Sequence, residues 1–272
     1  MLPYIHIGPV MLQLPGLALL LGLWLGLEIA SRQALRLRLS GETISNLVLL
    51  GLLGGVVGAR LGYAARYPEA FVKAPLSLLA LNVQTLDAAT GLVVGLAAAW
   101  LYAQRKHLPL RPTLDALAPG LAVMALFVGV AHVLSGDAYG MPTRLPWGVT
   151  LWGAKRHPTQ VYEVLLSAAV LVVIWRLSRQ SRGDGTLFLA TVGLLAAVRM
   201  FVEAFRGDSV TVLGGVRVAE VVAWGVLLAA LWLYPRWRAS YSQSRPPENP
   251  PRNPPRQPHT PRRGRAKRRR QA

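Results

Sequence analysis

Arg199-Met-Phe-Val-Glu203-Ala-Phe-Arg206 closes an apolar run that begins near Thr186. A run of that length reads as a membrane span. An ionised side chain at bilayer depth costs about 2.5–3.5 kcal/mol on insertion scales, so such groups need a reason to be there. On a helix, steps of four and then three residues put Arg199, Glu203 and Arg206 on one face. A charged stripe on a lipid-soluble helix has to meet protein, water or a polar ligand. The stretch therefore predicts an all-α membrane bundle with a buried polar site.

The composition agrees. The 272 residues are 53% hydrophobic and only 15% charged, whereas a soluble domain carries about 25% charge. There is no cysteine, which excludes disulfides, a thiolate metal site and a cysteine nucleophile of the chain's own. The formal charge is +18, and the stretch from Arg236 onward supplies +11 of it. The basic balance describes a tail and is not a sign of nucleic-acid binding by the membrane part.

Hydropathy predicts seven spans, at about 10–30, 44–65, 85–104, 113–134, 159–177, 186–205 and 218–234. The first lacks a basic leader and a small-residue cleavage site, so it is expected to be a retained span. The loops after spans one, three and five carry Arg32, Arg36, Arg38, Arg105, Lys106, Arg111, Arg176, Arg179 and Arg182. The opposite loops carry Arg66, Lys73, Arg144, Lys155, Arg156, Arg206 and Arg217. These two sets nearly balance, and the basic tail decides the orientation: it is expected in the cytoplasm. The N-terminus and the loop over 135–158 then fall outside, with Trp147 and Trp152 suited to the interface. The chain divides into a membrane domain over 1–238 and a Pro/Arg-rich tail over 239–272. The tail has too little to bury to fold, and it is expected to rest on anionic lipid headgroups, with a specific protein or nucleic-acid partner as the lesser reading.

Polar groups inside the bundle mark candidate positions. Gly54-Gly-Val-Val-Gly-Ala-Arg60-Leu-Gly62-Tyr63 combines small residues, which allow close helix approach, with Arg60. That arginine either lines a polar interior or pairs with an acid such as Asp87 or Glu163. Arg156-His157-Pro158-Thr159-Gln160-Val-Tyr162-Glu163 opens span five. Pro158 fits a first helical turn, and Gln160 and Glu163 continue the face that starts at Arg156. A helix N-terminus beside a cation suits an anion, and the same stretch also reads as a plain helix start with an interfacial tyrosine. His132 ends span four ahead of Ser135 and Asp137, either as a packing partner or as part of a polar pocket. The acids Asp87, Asp115, Glu163 and Glu220 are candidate partners for the arginines. No metal-ligand spacing, phosphate loop or Ser-His-Asp signature stands out.

These segments, in this order, resemble the prolipoprotein diacylglyceryl transferase family over roughly residues 7–235. The resemblance rests on Ile7-Gly-Pro-Val10, Gly58-Ala-Arg60-Leu-Gly62-Tyr63, Asp115-Ala-Leu-Ala-Pro119, Arg156-His-Pro-Thr-Gln160-Val-Tyr162-Glu163 and Arg199-x-x-x-Glu203-x-x-Arg206. It implies a bacterial plasma-membrane enzyme without cofactor. Such an enzyme moves the diacylglyceryl group of phosphatidylglycerol onto the lipobox cysteine thiol of a prolipoprotein. Arginines would hold the phosphate, and a base would take the thiol proton. On this reading Arg60, His132 and Arg199 are the catalytic candidates. Arg60, Arg156, His157, Gln160, Tyr162, Glu163, Glu203 and Arg206 are the phospholipid-binding ones.

The chain also departs from the family pattern. Ala89 stands where the family has a histidine often assigned as the base. Gly129 stands at an essential arginine, His132 and Ser135 at two asparagines, and Asp137 at a glutamate. Pro15 replaces an aromatic residue, and Leu195 replaces a tyrosine. His132 or His157 would have to stand in for the lost base. Two further readings follow from the losses and from the intramembrane charges: a relative that binds anionic lipid or scaffolds lipoprotein processing without catalysis, and a carrier.

Overall fold

The computed structural model describes residues 4–7, 10–73, 85–209, 211–212 and 216–243. Gly8 and Pro9 of the first family-like segment, and the tail beyond 243, lie outside the described residues. The helices are α1 (Leu14–Arg36), α2 (Gly41–Arg66), the short α3 (Pro68–Lys73), α4 (Ala88–Arg105), α5 (Leu110–Ser135), α6 (Thr159–Ser178), α7 (Thr186–Glu203) and α8 (Val218–Gln243). Among the described residues, all but α3 and α4 are long and apolar enough to cross a membrane, giving six such helices. The remaining predicted span, the third, is α4, an 18-residue helix whose last residues include Gln104 and Arg105.

Among the described residues three antiparallel hairpins escaped the hydropathy pattern: β1 (Tyr4–Ile7) with β2 (Val10–Gln13), β3 (Val149–Leu151) with β4 (Ala154–Arg156), and β5 (Thr211–Val212) with β6 (Val216–Arg217). Residues 10–13 are therefore strand, and the first span starts as helix only at Leu14. Pro15 sits in the opening turn, where its missing N–H leaves no helical bond unmade. At the other end α8 runs through Pro235 to Gln243, past the predicted end of span seven and through 239–243.

The burial pattern is that of a lipid-soluble protein. Buried positions are small: Ala30, Ala34, Ala116, Ala118 and Ala122 are almost fully enclosed. Exposed positions are large and apolar, among them Leu20, Trp24, Leu92 and Trp232. In water this would be an aggregation surface. In a bilayer, helices associate through close van der Waals contact of small residues. The two tightest seams show it. A methyl added at Gly95 of α4 would stand 2.7 Å from the Gly51 carbonyl oxygen of α2, and one at Gly26 of α1 would stand 3.0 Å from the Gly120 carbonyl oxygen of α5. The packing order runs α4, α2, α1, α5, with α6 and α7 against α5, and α8 against α7.

Helix ends are closed by side chains drawn from both local and distant sequence. Ser40 caps α2 by accepting from the Thr43 amide at 3.2 Å. Asp87 caps α4 by accepting from Ala89 and Thr90, which satisfies amide groups that have no helical partner. Helix α7 begins after Gly185, and Asp184 just before it accepts from the Thr186 amide at 3.0 Å. A second cap comes from α5: the fully buried Asp115 accepts from the Gly185 and Phe188 amides and the Ser181 hydroxyl, each at 3.0 Å. The Asp115-Ala-Leu-Ala-Pro119 segment thus ties α5 to the start of α7, and among the described residues Asp115 pairs with no arginine.

Candidate functional site

All of the predicted site residues except Arg60 fall in one network where α5 and α7 end and α6 and α8 begin. Proline at 158 biases the preceding residue away from helical backbone, so α6 starts only at Thr159, with Pro158 as its N-cap. Arg156 is therefore on strand β4 and not on a helical face shared with Gln160 and Glu163. Its Nε donates to the Leu151 carbonyl and its Nη1 to the Gly140 carbonyl, both at 3.2 Å. The guanidinium also lies 4.9 Å from the centre of the Tyr139 ring. All of these partners are neutral, so Arg156 keeps its full charge.

Next to it, the buried Gln160 donates to the Asp137 carbonyl at 3.0 Å, and Thr159 donates to the Ala138 carbonyl at 2.6 Å. The rings of His157, Tyr162 and Phe205 stack edge-on or tilted, with centres 5.1–6.4 Å apart. His157 Nδ1 is buried without a hydrogen-bond partner among the described residues. The Tyr162 hydroxyl accepts from Trp147 Nε1 at 3.0 Å.

One turn deeper, His132 Nδ1 meets Glu163 Oε2 at 2.7 Å. An ionised carboxylate can only accept, so Nδ1 is the donor of this pair, and Nε2 is the nitrogen that carries a lone pair whenever the ring is neutral. The same α5–α6 seam explains the departure at Gly129. A Cβ there would already stand 3.1 Å from Val164 Cγ2 and 3.2 Å from its amide nitrogen, so an arginine would force the helices apart. Where the family-like pattern calls for a cation on α5, this chain has a closed seam and a His–Glu pair.

The end of α7 is built differently. Arg199 Nη2 lies 2.9 Å from Oε2 of Glu203, which is 1% exposed. Helix α7 stops at Glu203, so Arg206 lies beyond the helix and off the regular stripe that the spacing predicted. It still reaches Glu203 at 3.9 Å, but its close partner is Asp208, gripped at 2.9 and 3.0 Å. Arg217 of β6 donates to the Glu203 carbonyl, with its other nitrogen 3.9 Å from the Met141 sulfur. Backbone bonds sew this end to the loop before α6: the Met141 amide donates to the Phe205 carbonyl at 2.8 Å, and the Gly207 amide to the Tyr139 carbonyl at 2.9 Å. Arg199 also borders an apolar groove of about 420 Å³ between α7 and α8, lined by Val192, Leu195, Val222 and Val226 among others.

Arg60 stands apart. It donates to the Thr85 carbonyl at 3.0 Å and to the Thr85 hydroxyl, and it lies 5.3 Å from the centre of the Phe71 ring. The acids proposed as its partners are engaged elsewhere, Asp87 with Arg66 at 2.9 Å and Glu163 with His132. Burial raises the Asp87 pKa, but the amides of Thr90 and Ala89 and the nearby Arg66 outweigh it and leave the carboxyl below its ordinary value. The exposed Ala89 at the family's histidine position lies in this first turn of α4.

Sequence reasoning treated Arg217 only as a loop charge and passed over Tyr139, Phe205 and Asp208. Asp208 was within reach, since an acid two residues from Arg206 is a ready partner. Tyr139, Phe205 and Arg217 become visible only through the fold of the loops around them. Among the described residues no group of acids and histidines could hold a metal ion.

Comparison with known proteins gives the same outline. The family model described as "Prolipoprotein diacylglyceryl transferase" matches residues 3–236. A phosphatidylglycerol–prolipoprotein diacylglyceryl transferase of Solidesulfovibrio magneticus is 32% identical over 254 residues, covering 85% of this chain and 92% of that protein. One from Coxiella burnetii is 31% identical over 225 residues, covering 76% and 84%. One from Clostridioides difficile is 24% identical over 208 residues, covering 76% and 84%. The match takes in both ends of the site, the Arg156–Glu163 stretch and the Arg199–Arg206 stretch, and the chain belongs to the prolipoprotein diacylglyceryl transferase family.

Proposed function

We propose that this multi-pass membrane protein transfers the diacylglyceryl group of phosphatidylglycerol to the cysteine thiol of a prolipoprotein. The observation that carries the reading is Arg156. It is a guanidinium at the mouth of a membrane bundle, fixed by two carbonyls and a ring and with its charge free for a phosphate, in a chain that matches the family over nearly its whole membrane part. Arg199 supports the same reading, with a groove of hydrocarbon-chain dimensions beside it.

The chemistry needs a base, an electrophile and a stabilised leaving group. The lone pair of His132 Nε2 takes the proton from the substrate thiol, while Glu163 holds Nδ1–H and offsets the charge gained. Sulfur forms a bond to the glyceryl CH2, and the bond from that carbon to the phosphate oxygen breaks with its electron pair on oxygen. Glycerol phosphate leaves. Arg156, Arg199 and Arg206 balance the charge that builds on it. A preorganised donor of this kind is worth about 10²–10³ in rate. Arg60 acts from the α2–α4 side of the bilayer surface, and His157, Gln160, Tyr162 and Glu203 hold the arginines and the α6 start in place. The basic tail over 239–272 faces the cytoplasm and rests on anionic lipid, leaving the N-terminus and the 135–158 loop outside. Because the chain has no native cysteine, labelling single introduced cysteines at 145 and 250 with a membrane-impermeant reagent in whole cells tests that orientation. Reagent should reach only the first.

The decisive assay uses the full chain in phosphatidylglycerol vesicles with a lipobox peptide. A peptide heavier by one thioether-linked diacylglyceryl group is expected, and none with cysteine replaced by serine. Rescue of a transferase-depleted bacterium is the matching result in cells. Absence of product in both overturns the proposal.

A further inference from the structure

The loop joining α5 to α6 carries an apolar surface that neither the bundle core nor the proposed chemistry uses. In the β3–β4 hairpin Leu151 pairs with Ala154, so Trp152 and Gly153 form a two-residue turn, with φ of 54° and 74°. Such a turn favours Asn or Gly, yet a tryptophan occupies it. Trp152 is 67% exposed, Trp147 is 58% exposed and Val149 is also open. Both indole N–H groups point inward: Trp152 Nε1 donates to the Gly136 carbonyl and Trp147 Nε1 to the Tyr162 hydroxyl. What the rings present outward is hydrocarbon with no unmet polar atom.

The hairpin springs from the ends of two membrane-crossing helices, so the bilayer surface is the medium beside it. An open hollow of about 550 Å³ separates it from α5 and α6, lined by Val133, Val149, Leu151, Val161 and the polar Gln160. Arg144 and Lys155 on the same segment are exposed and suit the phosphate plane. Tryptophan prefers this interfacial depth.

We propose that the β3–β4 hairpin is a wedge seated in the adjoining leaflet, with Trp147 and Trp152 among the glycerol and upper acyl groups and lipid filling the hollow behind them. Strand β4 also carries Arg156, so a seated hairpin sets that guanidinium at the level of the lipid phosphates. This last consequence rests on the transferase reading, whereas the seating does not.

The test is a fluorescence measurement that needs no activity. Thr150→Cys gives the chain its one cysteine, which is labelled with an environment-sensitive dye and reconstituted in vesicles of phosphatidylcholine and phosphatidylglycerol. Nitroxide placed near the lipid glycerol is expected to quench the dye several-fold more than aqueous iodide does. Equal or greater quenching by iodide overturns the proposal. In the same labelled chain, Trp147→Ser with Trp152→Ser is expected to restore access to iodide. A dye still shielded by lipid in that variant rules out the indoles as the seat, and Trp152→Ser alone provides the milder check.

Discussion

The start of α6 and the end of α7 both present arginine at the same end of the bundle, and they hold it in opposite ways. Arg156 is fixed by carbonyls and a tyrosine ring, which orient a cation without neutralising it. Arg199 and Arg206 are held by Glu203 and Asp208, which orient and neutralise together. The first arrangement leaves charge for a ligand. In the second, Glu203 lets a cation stand beside hydrocarbon, and an arriving phosphate must share its arginines with a carboxylate. The His132–Glu163 pair on the α6 side adds a second ring nitrogen, Nε2, that Glu163 does not engage. On the transferase proposal the labour divides: capture and proton transfer fall to the start of α6, while the end of α7 contributes arginines whose charge is shared with carboxylates.

Four substitutions can break or sharpen that division. His132→Ala has the largest expected effect, a fall in transfer of about 10²–10⁴-fold, the usual range for a lost general base. Unchanged product formation in the vesicle assay removes His132 from the chemistry. Glu203→Gln leaves Arg199 without its buried anion and Arg206 with Asp208 alone. It should cost about 3 kcal/mol of stability, the low end for breaking a buried pair, read from thermal unfolding in detergent. Arg156→Ala should lower transfer about 100-fold while the melting temperature stays near that of the parent, since only neutral contacts are lost. A large drop in melting temperature would show that Arg156 is structural, like Glu203.

The smallest effect lies away from both regions. Asp87→Ala removes the cap of α4 and should lower the melting temperature slightly. Because the folded-state pKa of Asp87 is depressed, its contribution is complete above the ordinary value of 3.8, fades as pH falls below it, and is gone once pH passes the lower folded-state value. Acid titration of the parent and the variant should therefore converge only below pH 3.8. Convergence at higher pH would contradict the capped, ion-paired carboxylate.

Some of this architecture was legible residue by residue. Apolar runs located every long helix because a bilayer demands them, and the glycines over 54–62 announced a close helix approach, which only the structure assigns to α4. Hydropathy could not show Val10–Gln13 as strand, since a short apolar run fits either structure. It could not show Arg156 leaving the helix either, since helical spacing says nothing of where a proline makes the helix begin.

The sequence by itself determined that this is a helical membrane protein with arginines sunk at one end, because hydropathy, charge placement and motif spacing are properties of the chain alone. Only the tertiary structure decided which charges are spent and which are free. Pairing depends on distances between segments far apart in sequence: Asp115 turned to the start of α7, Glu163 to His132, and Arg156 to two carbonyls. A one-dimensional pattern cannot encode those distances, because they are set by how closely small residues let the helices approach.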